Sequence, residues 1–218
     1  MSYILNIETA TKNCSISIAK QGETLLCKEI AEQGYSHAEK LHVFIAEALQ
    51  ELQIDFSDLS AIAVSQGPGS YTGLRIGVSA AKGLCYALDI PLIAIDTLEV
   101  LAAQLSISEG LIVPMIDARR MEVYNAVFDK NHQKIRDTKA EIIIEESFSE
   151  IEGTIHLIGD GALKCADILK DARFVYYPEN TYPSAKEMSL LSFEKHKKSD
   201  TVDVAYFEPF YLKDFMIK

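Results

Sequence analysis

The chain has 218 residues and is 48% apolar, enough for one large domain or two small ones around a substantial core. Its net charge of −11 argues against a main grip on nucleic acid, because phosphate affinity comes largely from counterion release by Lys and Arg. A local basic patch, or a partner carrying the basic surface, stays open.

The N-terminal "MSYILNIETA" lacks a basic leader region, and Asn6 and Glu8 interrupt its apolar run, so no signal peptide is expected. No apolar stretch approaches the ~20 residues that span a bilayer. None of the four cysteines forms a CxxC pair, which argues against zinc and thioredoxin-type chemistry. Cys14, Cys27 and Cys85 lie in apolar surroundings and read as buried reduced thiols of a cytoplasmic protein with no membrane partner.

"YILNIET" alternates as a strand, and "CSISIAK" and "ETLLCKEI" follow as two more, joined through the "KQGE" turn. Ser36-His37-Ala38-Glu39 is a capping box that opens a helix to Leu52. Its apolar positions Ala38, Leu41, Ile45, Ala48, Leu49 and Leu52 share one face. "AIAVS" is a short buried strand, "GLRIGVSAAKGLCYAL" a helix, "PLIAI" a strand and "TLEVLAAQL" a helix.

The pattern then restarts. "VPMID" at 113–117 resembles "ILNIE" at 4–8, half a chain length later, and in each case a short polar turn leads to another strand, "EVYNAVF" or "NCSISIA". Strands are expected at "IIIEE" and "IHLIG", and helices at "GALKCADILK" and from Glu187 to His196. Two related α/β lobes follow, residues 1–108 and 109–218, each opening with an antiparallel meander that ends in crossover helices. That is the actin-like, or ribonuclease H-like (ASKHA), arrangement, with a reduced second lobe and the C-terminal tail belonging to it.

Residues 65–77, "SQGPGSYTGLRIG", invite a phosphate-binding reading. A P-loop fails, because Gly73 is followed by Leu74 and Arg75 rather than Lys and a hydroxyl. A dinucleotide reading finds Gly67, Gly69 and Gly73 after a strand and Asp96 after the next one. Against it, Pro68 removes a backbone donor, and the unit follows a meander instead of heading a doubly wound sheet. The alternative is packing: glycines permit a sharp crossing into a helix with small side chains. On that helix Leu74, Val78, Ala81, Cys85 and Leu88 form one face and Ile76, Ala80, Leu84 and Ala87 a second. A helix so widely apolar is buried on two sides, and one of them suits another chain.

Glu8 and Asp117 occupy matching turns of the two lobes, where actin-like phosphotransferases place an acid near metal–phosphate. Neither is followed by glycine. With Thr9, and with Gly159 and Gly161 of "GDG", they outline a vestigial nucleotide cleft that could take ATP or ADP; the GDG turn reads equally as a simple helix start. His37 and His42 lie about 140° apart on a helix and cannot chelate one ion together, so they read as helix-flank residues. No HExxH or HxxxH occurs, and no Ser-His pairing is evident.

"ILNIETATKNCSISI", "HAEKL", "SQGPGSYTGLRIGVSAAKGL" and "IDTLEVLA" together resemble the TsaB (YeaZ) family, end to end and most densely over residues 1–105. The tail "EPFYLKD" resembles the family's closing Pro-x-Tyr-Leu-Arg, with Lys213 in the arginine place. The resemblance implies an actin-like fold and a role in bacterial threonylcarbamoylation of adenosine 37 of tRNAs reading codons that begin with A. The related catalytic subunit, TsaD, carries a metal-binding HxxxH where this chain has "DTLEVLAAQ". The chain therefore resembles a non-catalytic paralogue, without metal or required cofactor, that supports a TsaD-like subunit together with a TsaE-like ATPase. It would form a homodimer when alone and meet tRNA only through the complex. The partner-facing residues are expected to be Leu41, Phe44 and Ile45 of the first helix and Ile76, Ala80, Leu84 and Ala87 of the second. The rival reading is a stand-alone actin-like ATPase or kinase using the inter-lobe cleft.

Overall fold

The computed structural model describes residues 3–31 and 37–213. Strands β1 (Tyr3–Glu8), β2 (Cys14–Lys20) and β3 (Glu23–Ile30) form an antiparallel meander. It is followed by helix α1 (His37–Leu52), β4 (Leu59–Gly67), α2 (Tyr71–Leu88) and β5 (Leu92–Asp96). The sheet order is β3-β2-β1-β4-β5, with β4 and β5 parallel to β1 because helices carry the chain back between them. The Ser36 end of the expected capping box lies outside the described residues.

A short helix α3 (Thr97–Ala102) leads to the second sheet. Its strands are β6 (Leu111–Asp117), β7 (Glu122–Phe128), β8 (Lys134–Ile142), β9 (Ile155–Ile158) and β10 (Phe174–Tyr177), ordered β10-β9-β6-β7-β8. Matched strand for strand, this is the order of the first sheet. The fold is the duplicated actin-like, ribonuclease H-like α/β arrangement.

Three local readings change. The third strand of the second meander runs over Lys134–Ile142, and "IIIEE" only touches its end. Strand β8 is an edge with one partner, so its polar residues Lys134, Arg136, Asp137, Lys139 and Glu141 cost little and hide its period. Strand β10, four residues long, was not expected from the sequence. Helix α4 (Asp160–Lys164) closes after five residues, well short of the expected "GALKCADILK".

Helix α5 (Met188–Lys197) and the tail return to the first sheet, so the two halves of the sequence interlock in space. Alternation explains the site of return. On β2, Cys14, Ile16 and Ile18 enter the core with α1, while Ser15 and Ser17 face the other side. There Ser17 Oγ donates to the Ala185 carbonyl at 2.6 Å, the Ala185 amide donates to Ser15 Oγ at 2.9 Å, and Thr24 and Ser189 hydroxyls pair at 2.7 Å. Met188 and Ala185 complete a core with Ile4, Ala61, Ala63, Ile93 and Ile95. Farther on, the Val202 amide donates to Leu92 O at 2.9 Å and the Phe210 amide to Gln66 O at 2.7 Å. Among the described residues no helix is long and apolar enough to cross a membrane.

Candidate functional site

The turn after β1 lies beneath the glycine-rich segment. A Cβ on Gly69 would strike the Ala10 backbone, and one on Gly73 the Thr9 carbonyl. One on Gly77 would strike Thr9 Oγ1. The glycines thus let β4–α2 close down on Thr9 and Ala10. Two hydrogen bonds fix the contact: Ser70 N–H to Ala10 O at 2.6 Å and Thr9 Oγ1–H to Gly73 O at 2.8 Å. Ser70 also caps α2 through Gly73 N–H. The space that phosphate would need beside these glycines is filled by the chain itself.

Glu8 is fully buried. Its Oε1 accepts the Ala10 amide at 2.5 Å, while its Oε2 has no hydrogen-bond partner among the described residues. Burial pushes its pKa up to about 7, against the lowering influence of Ser65 and the Ala10 amide. Ser65 Oγ itself pairs with Thr97 Oγ1 at 2.8 Å. A carboxyl so enclosed makes a poor ligand for a solvated metal–nucleotide. Thr9 is equally buried. Burial likewise raises the thiols of Cys14 and Cys27 to about 11 and of Cys85 to about 12, so none is a ready nucleophile.

The matching turn of the second lobe is open. Asp117 is exposed, forms an ion pair with Lys164, and accepts the Arg119 amide at 2.8 Å. Its own amide donates to Asp160 Oδ1 at 2.9 Å. Burial raises the Asp160 pKa first, with Asp117 adding to the rise and Lys12 opposing it. Gly159 has φ +107°, and side chains at Gly159 or Gly161 would press on the β6 backbone at Met115 and Ile116. Glycine is therefore required there by close packing. Glu8 and Asp117 end equivalent strands, but one is sealed in and the other is neutralised by Lys164. Asp96, the acid that a dinucleotide reading needs, caps α3 through Leu98 N–H at 2.8 Å and pairs with Lys134 at 2.5 Å.

On helix α2, Leu74, Val78, Ala81 and Cys85 are buried against its sheet, but Leu88, expected on the same face, is half-buried. Ile76, Ala80 and Leu84 are half-buried and also touch the first-lobe core, and Ala87 is exposed. Tyr86 beside them is 87% exposed. On α1, Phe44 is half-buried and Val43 exposed. Leu41 and Ile45 need correction: they are 0% and 2% exposed and belong to the α1–sheet core, so they cannot face a partner. The reason is geometric, since the stripe that defines the helix in the sequence is the one facing its own sheet. His42 is exposed, but His37 is buried, with Nε2 at 2.9 Å from Thr11 O, and is not a flank residue.

Sequence reasoning missed the tail's role. Arg75 stacks on Tyr71 with 4.1 Å to the ring centre, and its Nε donates to Tyr211 Oη at 3.1 Å. Lys82 donates to Ala205 O at 3.1 Å and Phe207 O at 2.9 Å. Lys213 forms an ion pair with Glu122 of β7. The tail therefore straps α2 to the second lobe. Among the described residues no group of three or more His, Cys, Asp or Glu could hold a metal ion.

The family model for TsaD, tRNA N6-adenosine threonylcarbamoyltransferase, matches residues 26–214. The tRNA threonylcarbamoyladenosine biosynthesis protein TsaB of Bacillus subtilis is 32% identical over 96% of this chain and 93% of its own length. The solved structure of YeaZ from Pseudomonas aeruginosa superposes with a TM-score of 0.82 at 25% identity, covering 97% of this chain and 100% of that one. The ethanolamine utilization protein EutJ of Carboxydothermus hydrogenoformans shares the fold, with a TM-score of 0.52 at 12% identity over 87% of this chain and 89% of its own.

Proposed function

From the premise that this chain belongs to the TsaB family of tRNA threonylcarbamoyladenosine biosynthesis proteins, we propose that it acts as a non-catalytic subunit of that modification. Its partner on this reading is a TsaD-like transferase, which it holds in an active state on adenosine 37 of tRNAs reading codons that begin with A. A TsaE-like ATPase completes the assembly, and tRNA is met there and not by the isolated chain.

The observation that carries the reading is the near full-length likeness to TsaB, joined to a first-lobe turn sealed by its own glycines. An actin-like kinase needs its first acid at a solvent-accessible metal–phosphate, and Glu8 is 0% exposed. That geometry disfavours the stand-alone ATPase or kinase. No cofactor is required on this reading, and any ATP or ADP bound to the Asp117–Gly161 side is incidental to the role.

The docking surface on this reading is the outer face of α2, Ile76, Ala80, Leu84 and Ala87, with Phe44 of α1 beside it. Small side chains there let a partner's helices approach closely. Two helices from each protein supply the roughly 800 Å² per partner that a stable interface needs. Since the catalytic relative shares the lobe, the same face serves a homodimer when the partner is absent.

Reconstitution tests the proposal. The transferase of the same cell, supplied with its substrates and tRNA, should form threonylcarbamoyladenosine faster with this chain than without it, and the two should co-purify. Equal rates with and without the chain would overturn it.

A further inference from the structure

The hairpin tip between β6 and β7 breaks a local rule. Arg119 and Arg120 both lie in the left-handed region, with φ 70° and 53°. A tight turn that needs positive φ favours Gly, Asn or Asp, and other residues there carry a conformational cost. Two consecutive arginines are a poor choice for the turn itself. The turn is held through its backbone, by the Arg119 amide on Asp117 Oδ1 at 2.8 Å and by Lys164 Nζ on the Arg120 carbonyl at 2.8 Å, and neither contact uses a guanidinium. Of the five arginines, Arg75, Arg136 and Arg173 are held by side-chain hydrogen bonds to Tyr211, to Asn125 and Glu150, and to the Ile151 and Phe148 carbonyls. The side chains of Arg119 and Arg120 are exposed and make no hydrogen bond or ion pair among the described residues.

The acids around the tip are already engaged. Asp117 takes Lys164 and the Arg119 amide, Glu122 takes Lys213, and Asp160 takes the Asp117 amide. Lys12, from the first lobe's turn, lies within electrostatic reach of Asp160, is exposed, and has no ion pair among the described residues. Burial raises the Tyr124 pKa, and Lys213 and Arg119 lie close enough to oppose that rise. Arg119, Arg120 and Lys12 thus stand together without an ion pair among the described residues, on a chain whose net charge is −11. An acidic body repels a polyanion elsewhere, so this is where one could be met. Guanidinium forks match phosphate oxygens in pairs.

We propose that the Arg119–Arg120 tip, with Lys12, grips the phosphodiester backbone of the tRNA substrate when this chain sits in its complex. This rests on the functional reading above, which supplies the polyanion. Three cations give little affinity by themselves at physiological salt, so the isolated chain is expected to bind tRNA poorly and the grip to count only within the complex. An acidic protein partner at the same tip is the competing outcome.

The test uses the complex of this chain with its transferase and labelled tRNA across a salt series. Arg119→Ala/Arg120→Ala should weaken binding by about tenfold or more and make log affinity against log salt shallower by about two. Arg119→Lys/Arg120→Lys should keep most of the slope. Sedimentation should show both variant complexes intact. Unchanged affinity and slope in an intact alanine complex would overturn the inference alone. Loss of assembly in the alanine variant would assign the tip to a protein contact and overturn it too. A wild-type chain that neither assembles with the transferase nor supports modification would instead bring down the functional reading.

Discussion

Glu8→Gln should change how stability depends on pH. Glu8 is fully buried, satisfied at one oxygen and without a partner at the other among the described residues, and burial pushes its pKa from the ordinary 4.5 to about 7. Between these values the folded chain holds a proton that the unfolded chain has released. Stability from this group is therefore complete below pH ~4.5, falls as pH rises, and levels off above pH ~7. At ~1.4 kcal/mol per unit, the shift is worth about 3 kcal/mol. Glutamine keeps the shape and the carbonyl that accepts the Ala10 amide but cannot ionise. Urea unfolding of both proteins from pH 5 to 8.5 measures the difference. The variant should gain on wild type by about 2.5 kcal/mol across that range, part of the effect being spent below pH ~5. Other raised carboxyls, Glu99, Asp160 and Glu187, slope the same way in both proteins and cancel in the comparison. Parallel stability–pH curves would refute the argument, because they would mean Glu8 reaches water or a cation when ionised.

Gly73→Ala should destabilise by about 3 kcal/mol in denaturant titration, since its Cβ meets the Thr9 carbonyl, which is backbone and cannot step aside. Gly83→Ala, with open space around it, should instead stabilise by about 1 kcal/mol. Ala80→Arg should leave a normal circular dichroism spectrum but abolish association in sedimentation, whereas Val78→Arg, at a position 4% exposed, should unfold the domain. Purified chain should hydrolyse ATP no faster than a heat-killed control.

The first lobe was legible because its signals are local and strong. Alternation in β1 and β2, the widely apolar α2 and the short buried strands β4 and β5 each declare themselves over a few residues. The restart at β6 was legible by position more than by letters. Strand β8 was hidden because a one-sided edge tolerates polar residues, and β10 because four residues carry too little period. The site was less legible. That Gly69, Gly73 and Gly77 all serve one turn, Thr9–Ala10, is a contact across about sixty residues that spacing does not reveal. The apolar stripe of α1 announces burial without saying against what, so the sequence does not separate a partner surface from the core in which Leu41 and Ile45 lie. The strap formed by residues 202–213 joins backbone hydrogen bonds of Val202 and Phe210 to side-chain contacts between distant residues, Arg75 with Tyr211 and Lys213 with Glu122, and no local pattern reveals either kind.

The central claim is that this chain is needed for threonylcarbamoylation of tRNA without performing it. Mass spectrometry of nucleosides from total tRNA tests this most directly, in a strain lacking the gene and in the same strain carrying it again. Loss of threonylcarbamoyladenosine in the first and recovery in the second is the result expected. Normal levels of the nucleoside in the strain without the chain would contradict the account.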